Sequence, residues 1–394
     1  LSGNAALNVA AAATLGGYGS VSGPVTNNGT IAVADALPDF ATTGGGAFTI
    51  KGDLVNAGTA AIGGAGVGNR LVVAGNYVGQ NGLVALNTQV AGDNAASDRL
   101  VVSGAGATAT GTSALQITNM GGAGAPTVAN GIQVIEAANG ATTDLSAFRL
   151  AGPVRAGAYS YYLAKGGVTD GTSQSWYLRN TVPAAQPLTA PPGTPPATPP
   201  AQAPLPANPS QPVSASNPLR PADTPIAAAG SPPTLPQPAS KAADSAPTPL
   251  YRPEAPVYAE IPSMAREMAL QQIGTFHDRQ GEQSLLSENG TLPAAWGRVW
   301  GGHTVQSQDG AVNPEFDGSI YGVQAGHDIY ADSSASGQRN HYGFFVGFTR
   351  ATGDVDGFAL GTPNLDVGHL AINAYSLGGY WTHIGPAAGT RIRS

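Results

Sequence analysis

The chain has 394 residues, only 10% of them charged against about 25% in an ordinary globular protein, and it is rich in Gly (55) and Pro (32). Gly is costly inside helices and β-branched residues prefer pleated surfaces, so the expected class is all-β. A net charge of −7 argues against a nucleic-acid partner, which needs a basic face, and the absence of cysteine excludes disulfides and thiolate metal sites.

Residues 1 to about 180 are short apolar bursts punctuated by Gly and Asn, as in "GTIAVA" and "RLVVAGNYVGQNGLVALN". Turn residues at this density predict short strands and tight corners. Coils stacked as a parallel β-helix suit the pattern, with a β-sandwich as the competing arrangement. The opening "LSGNAALNVA" carries no basic start with an apolar core behind it, and "GTRIRS" stops abruptly. The expectation is a fragment truncated at both ends.

The densest polar stretch in this half, "AGDNAASDRLVVSG", places Asp93, Asn94, Ser97, Asp98 and Arg99 just before Leu100. Every histidine (277, 303, 327, 341, 369, 383) lies far downstream, so no Ser-His-Asp device is expected here. EF-hand spacing and its terminal Glu are missing as well. Asx and Ser side chains capping a turn that feeds a strand account for the residues.

Residues 183 to about 253 hold 22 of the 32 prolines. Such a segment buries too little apolar surface to order itself and predicts an extended spacer reaching roughly 200 Å at ~3.1 Å per residue. From 257 to about 288 the best helix formers of the chain gather, with a start at Pro262-Ser263. A broken apolar stripe runs through Ile261, Met264, Met268 and Phe276. Arg266, Glu267, Asp278, Arg279 and Glu282 interrupt it, so this helix must stay wet.

From about 294 the period becomes two. Tyr321, Val323, Ala325 and Ile329 alternate with Gly322, Gln324, Gly326 and Asp328. Tyr342, Phe344, Val346 and Phe348 alternate with Gly343, Gly347 and Thr349, and Tyr375, Leu377 and Trp381 with Ser376, Gly378 and Thr382. Segments of about ten residues with apolar faces outward and small or polar faces inward match outer-membrane strands. "QSQDGAVNP", "ADSSASGQR" and "GTPNLD" are the expected loops.

The order of these parts resembles the autotransporters, the type V secretion proteins of Gram-negative bacteria. "YRPEAPVYAEIPSMAREMALQQIGTFHDR" resembles the segment that plugs the autotransporter barrel, and "AAWGRVWGGHT", "FDGSIYGVQAGHDIY" and "AYSLGGYWTHIG" its first strands. "GDNAASDRLVVSG", "GGAGAPTVANGIQVIE", "FRLAGPVRAGAYSYYLAKGG" and "WYLRN" are similar to the C-terminal cap of pertactin-like passengers. The resemblance implies passenger coils over 1–69, an autochaperone-like cap over 70–182 and a disordered Pro-rich linker over 183–253. It implies a lumen helix over 254–290 and the start of an outer-membrane barrel, incomplete in this chain, over 291–394.

Implied with it are outer-membrane lipid, periplasmic chaperones and barrel-assembly machinery as partners, and an undefined host surface ligand. The exposed role it favours is that of an adhesin-like virulence factor. An autotransported protease or esterase with its catalytic domain upstream of Leu1, and a secreted wall protein with a proline stalk, are the alternatives. No catalytic, cofactor-binding or metal-ligating residue is expected in 1–394, because HxH, HxxxH, GxSxG and GK phosphate-loop patterns do not occur. Tyr159, Tyr161, Tyr162, Trp176 and Tyr177 are expected to close the end of the coil stack, and Arg298 to contact the plug helix.

Overall fold

Short bursts closed by Gly and Asn cannot build long strands, and up to about residue 150 the chain winds into a parallel β-solenoid. The computed structural model describes residues 5–182, 247–273, 290–291 and 295–385. An opening part-coil holds β1 (Leu7–Val9) and β2 (Thr14–Gly17). Successive coils then carry β3 (Gly19–Ser22), β4 (Val25–Asn27) and β5 (Thr30–Val33), followed by β6 (Ala47–Lys51), β7 (Leu54–Asn56) and β8 (Thr59–Ala61). The next pair are β9 (Arg70–Val73) with β10 (Tyr77–Thr88), and β11 (Arg99–Ser103) with β12 (Thr108–Asn119). The last coil holds β13 (Ile132–Ala138), β14 (Thr142–Thr143) and β15 (Phe148–Leu150).

Parallel pairing stacks these strands into three faces, one of them running β3-β6-β9-β11-β13. The long strands β10 and β12 each serve two faces. Tyr77–Gly79 pairs with β7 and Leu83–Ala85 with β8, and the chain bends between them at Asn81, whose φ is 60°. Alternation along each strand sends Ile50, Leu54, Leu71, Val73, Leu100 and Ile135 into one fully buried core. Each such side chain contributes about 1.5–3 kcal/mol by leaving water. A polar spine shares that interior. Asn27 Nδ2 donates to Asn56 Oδ1 (2.8 Å), Asn56 Nδ2 to the Tyr77 hydroxyl (3.2 Å), and that hydroxyl bonds Ser113 Oγ (2.7 Å).

Past the last coil the pairing changes sense. β16 (Val154–Ala156), β17 (Tyr159–Lys165) and β18 (Trp176–Arg179) are antiparallel, and β18 lies antiparallel along β13. This closes the β3–β13 face with a hairpin in place of an open edge. β19 (Thr181–Val182) then pairs antiparallel with β20 (Thr248–Pro249), near the end of the Pro-rich segment. The expected linker lies outside the described residues through 246, but its final residues are hydrogen-bonded structure.

The single described α-helix, α1 (Glu254–Gln272), begins eight residues before the start read at Pro262-Ser263, at the residue where the resemblance opens the lumen segment, and runs through Pro262. Pro256 falls in the first turn, where a missing N–H costs nothing. Pro262 deprives the Tyr258 carbonyl of its helical donor, and both residues are exposed, so water can serve that oxygen. Met264 and Met268 are buried as the stripe requires, whereas Ile261 is exposed and Glu260 takes a buried position in line with them. Phe276, Asp278, Arg279 and Glu282 lie outside the described residues.

The remaining sheet is antiparallel. The short β21 (Gly290–Thr291) and β22 (Ala295–Ser307) both pair with β23 (Glu315–Ser333), which is followed by β24 (Arg339–Ala359) and β25 (Thr362–Ile384). These long strands have 13, 19, 21 and 23 residues, well beyond the ten expected. The first two expected loops occur. "GTPNLD" is mostly strand, because Leu360 and Gly361, with φ of 49° and 75°, form a two-residue hairpin turn.

Candidate functional site

The polar stretch ahead of Leu100 is more than a turn. Asp98 is fully buried and its carboxylate accepts the backbone N–H groups of Gly68 (2.7 Å), Asn69 (2.8 Å) and Asn87 (2.8 Å). Asn69 Nδ2 donates in turn to Asp35 Oδ1 (2.6 Å) and to the Ile62 carbonyl (2.8 Å). Asp93 reaches the other way, accepting from Val128 N and Gly131 N at 2.7 Å. The two aspartates therefore tie their coil to the coils before and after it. Burial pushes the Asp98 carboxyl up to about 6, outweighing the three N–H donors that pull it down, and the Asp35 carboxylate adds to the push. Asp35 and Asn69 escaped the sequence reading because nothing local marks them. Only stacking brings their coils together.

The expected aromatic cluster divides in two. Trp176 is buried, edge-on to Phe148 (5.6 Å), which stacks on Tyr77 (5.6 Å), and its indole N–H donates to Thr143 Oγ1 (3.0 Å). Tyr161 is buried too, its hydroxyl donating to the Ala91 carbonyl (2.7 Å). Tyr177 is buried in β18 and Tyr162 donates to the Thr181 carbonyl (2.9 Å). Tyr159 lies at the edge of the cap, where its ring stacks on Tyr251 near the end of the Pro-rich segment.

The antiparallel sheet is inside-out relative to the solenoid. On β24, Tyr342, Phe344 and Val346 are exposed, and Phe348 lies on the same side. They span about 20 Å at ~3.4 Å per residue, comparable with the ~25 Å apolar band of outer-membrane barrels. Continuing on that side, Arg350 hydrogen-bonds Asn373 (2.9 Å) and Asp354 bonds His369 (2.9 Å), so the apolar band has a polar limit. At its other end Tyr330, Tyr342 and Trp381 fall in one cross-strand row with ring centroids 6.2 and 6.4 Å apart. Such rows mark a membrane–water interface.

The opposite side receives α1. Met264 and Met268 pack on Phe316, Ile320, Ala351, Val355 and Leu370. Gly357 lets the helix approach, since a Cβ there would sit 2.5 Å from Pro256 Cβ. Arg298 holds the last turn: its Nη2 donates to the carbonyls of Gln271 (3.0 Å) and Gln272 (2.6 Å), and its Nε to Gln324 Oε1 (2.8 Å). The last carbonyls of a helix lie beyond its own ladder, and a cation suits the negative end of the helix. The contact expected of Arg298 is present.

Near the row of aromatics, the same inner side carries a network across all four long strands. Trp296 Nε1 donates to the Tyr380 hydroxyl (2.7 Å), that hydroxyl bonds Asp328, and Asp328 Oδ2 lies 2.7 Å from His341 Nδ1. His303 and His369 sit beside Asp317 and Asp354 in exposed pairs. Among the described residues no group of three or more His, Cys, Asp or Glu is placed to hold a metal ion. No described helix is long and apolar enough to cross a membrane, a statement that leaves strand-built spans untouched.

Two segments match known families. Residues 61–163 match the Autochaperone Domain Type 1, and residues 295–390 match the Autotransporter beta-domain. The uncharacterized protein YdeU of Escherichia coli K12 is 29% identical over 276 residues, covering 69% of this chain and 47% of that protein. The Adhesin BmaC autotransporter of Brucella suis is 26% identical over 249 residues, covering 58% of this chain and 6% of that protein. The chain thus spans less than half the length of either relative. A coil stack with an autochaperone region, joined to a sheet whose apolar band faces outward, places this chain among the autotransporters, outer-membrane proteins that display their own passenger at the cell surface.

Proposed function

We propose that the displayed passenger is an adhesin-like virulence factor that binds a host surface ligand, and that it carries no enzyme activity of its own. The observation that supports this reading most directly is the similarity to a relative named as an adhesin over 58% of the chain. The solenoid is suited to the task. Stacked coils present a long, regular surface on which many weak contacts add up. In the same reading residues 1–69 are passenger coils, 70–182 a cap that folds first and templates them, and α1 lies in the barrel lumen. Outer-membrane insertion engages the general barrel-assembly machinery. We further assign periplasmic chaperones to the transit step.

The test is display followed by adhesion. An epitope placed at the exposed Ala105–Gly106 turn should be labelled on intact Gram-negative cells. Cells displaying the protein should bind a host-cell monolayer several-fold better than cells carrying the same protein with residues 5–182 deleted. Labelling only after permeabilisation would end the display reading, and equal binding by the two cell types the adhesin reading.

A further inference from the structure

The Pro-rich segment leaves the solenoid and returns to it at one place. β19 and β20 pair with Thr181 opposite Pro249 and Val182 opposite Thr248. The bonding then continues along the chain: Leu250 N donates to the Asn180 carbonyl (2.7 Å), Ser160 N to the Leu250 carbonyl (2.9 Å), and Arg252 N to the Ala158 carbonyl (2.8 Å). Residues 248–252 thus form an extra strand on the solenoid cap, bonded to β19 at its start and to the beginning of β17 at its end. Recognition by strand addition draws its affinity from main-chain bonds and its specificity from side-chain partners.

Side chains reinforce the strap from both directions. Tyr251 stacks on Tyr159 with ring centroids 5.2 Å apart. Arg155 of the cap pairs with Glu254 at 3.1 Å, and Glu254 is the first residue of α1. The strap also grips the wall. The Tyr251 carbonyl accepts from Leu360 N (2.9 Å), and its ring meets Phe358 edge-on at 6.1 Å. Cap, strap and the β24–β25 turn are therefore continuous through direct contacts among described residues.

We propose that residues 248–254 form a docking strap that holds the passenger cap on the barrel without a covalent link, so that a cut anywhere in 183–246 leaves the passenger in place. The contour length of the Pro-rich segment does not set the distance between cap and wall, because the residues at its two ends are bonded to one another. Surface retention is then decided by strap contacts, and the segment becomes a loop that tolerates hydrolysis. This inference rests on the chain being an autotransporter, and its test does not depend on where the passenger is displayed.

A recognition sequence for a site-specific protease is inserted after Ala215 in the full chain, with an affinity tag at the C-terminal end. The protein is extracted from outer membranes in mild detergent, cut, and captured by the tag. The N-terminal fragment should stay with the captured part through washing. In Arg155→Glu combined with Tyr251→Ala it should dissociate at least tenfold faster after cutting, while the uncut variant keeps the same protease-resistant solenoid core. If the wild-type fragment washes away as fast as that of the double variant, the strap does not hold the passenger and the proposal fails. Failure of surface labelling in the display experiment would instead remove the display reading and leave this result standing.

Discussion

The solenoid and the outer-membrane wall are built from similar residues and solve opposite problems. Val, Leu and Ile of the solenoid point inward, with Ile50, Leu71 and Leu100 fully buried. Val, Leu and Tyr of the wall point outward, with Leu377 79% and Tyr375 81% exposed. The wall keeps its polar chemistry inside, at Gln324, Asp328 and His341, whereas in the solenoid the buried Asn27, Asn56 and Asp98 bond coil to coil. An exposed apolar side chain therefore carries different meanings within one molecule. In the solenoid it is incidental; in the wall it is the solvent contact for which the strand was built.

The sharpest probe of the solenoid's side of this contrast is Trp176→Ala. It removes the ring that packs on Phe148 and leaves Thr143 without its indole donor, so it should cost about 3–5 kcal/mol. Denaturant unfolding followed on the passenger, with protease sensitivity as a second readout, measures it. An unchanged midpoint would deny that the cap is a stability centre.

The contrast itself is tested by one substitution made twice. Leu377→Arg on the wall should cost about 2–4 kcal/mol if the residue sits near the bilayer midplane, lowering the fraction that shows heat-modifiable migration from outer membranes. Leu145→Arg on the solenoid, where Leu145 is 78% exposed, should stay within about 0.5 kcal/mol. Equal effects would mean that the wall's apolar face is not in lipid.

Acid should act in opposite directions on the solenoid corner and on the strap. Asp98 is held up to about 6 against an ordinary 3.8, so the folded solenoid binds a proton more tightly than the unfolded chain. Its stability should rise as the pH falls from 7 through 6 and level off below about 4, and Asp98→Asn should flatten that slope. Denaturant midpoints across the pH range report it.

The smallest effect is expected at Glu254. Its own backbone N–H at the start of α1 lowers the carboxyl pKa, helped by Arg252 and then Arg155. The stabilising contribution is present above the usual value of 4.5 and is lost as the pH falls through the lowered one. The cut complex should accordingly dissociate somewhat faster only in acid below that point, and Glu254→Gln should remove the dependence. A slope at neutral pH would place the titrating group elsewhere.

Much of the wall was legible because its period is two and each side faces one solvent for the length of a strand. Tyr342, Phe344 and Val346 read outward from spacing alone, and their structural exposure agrees. Strand ends were not legible, since beyond Phe348 the outward residues turn polar and look like a loop while the ladder continues through Arg350 and Asp354. The start of α1 read from the residues alone, at Pro262-Ser263, was late for a related reason. Pro262 reads as a boundary, yet packing of Pro256, Met264 and Met268 against the wall carries the helix through it.

What the sequence determined by itself is what local chemistry can enforce. Gly and Asn at high density impose corners and so short strands; alternation imposes a two-sided sheet; charges interrupting an apolar stripe keep a helix out of lipid. The tertiary structure decided everything that joins residues remote in the chain. It chose Asp98, Asn69 and Asp35 as one buried corner, set Trp176 in the core of the cap and Tyr159 at its edge against Tyr251, and brought Thr248 back beside Val182. None of these pairings has a local signature. Each depends on stacking coils or closing a long loop, where the bonds gained must exceed the entropy of bringing distant segments together.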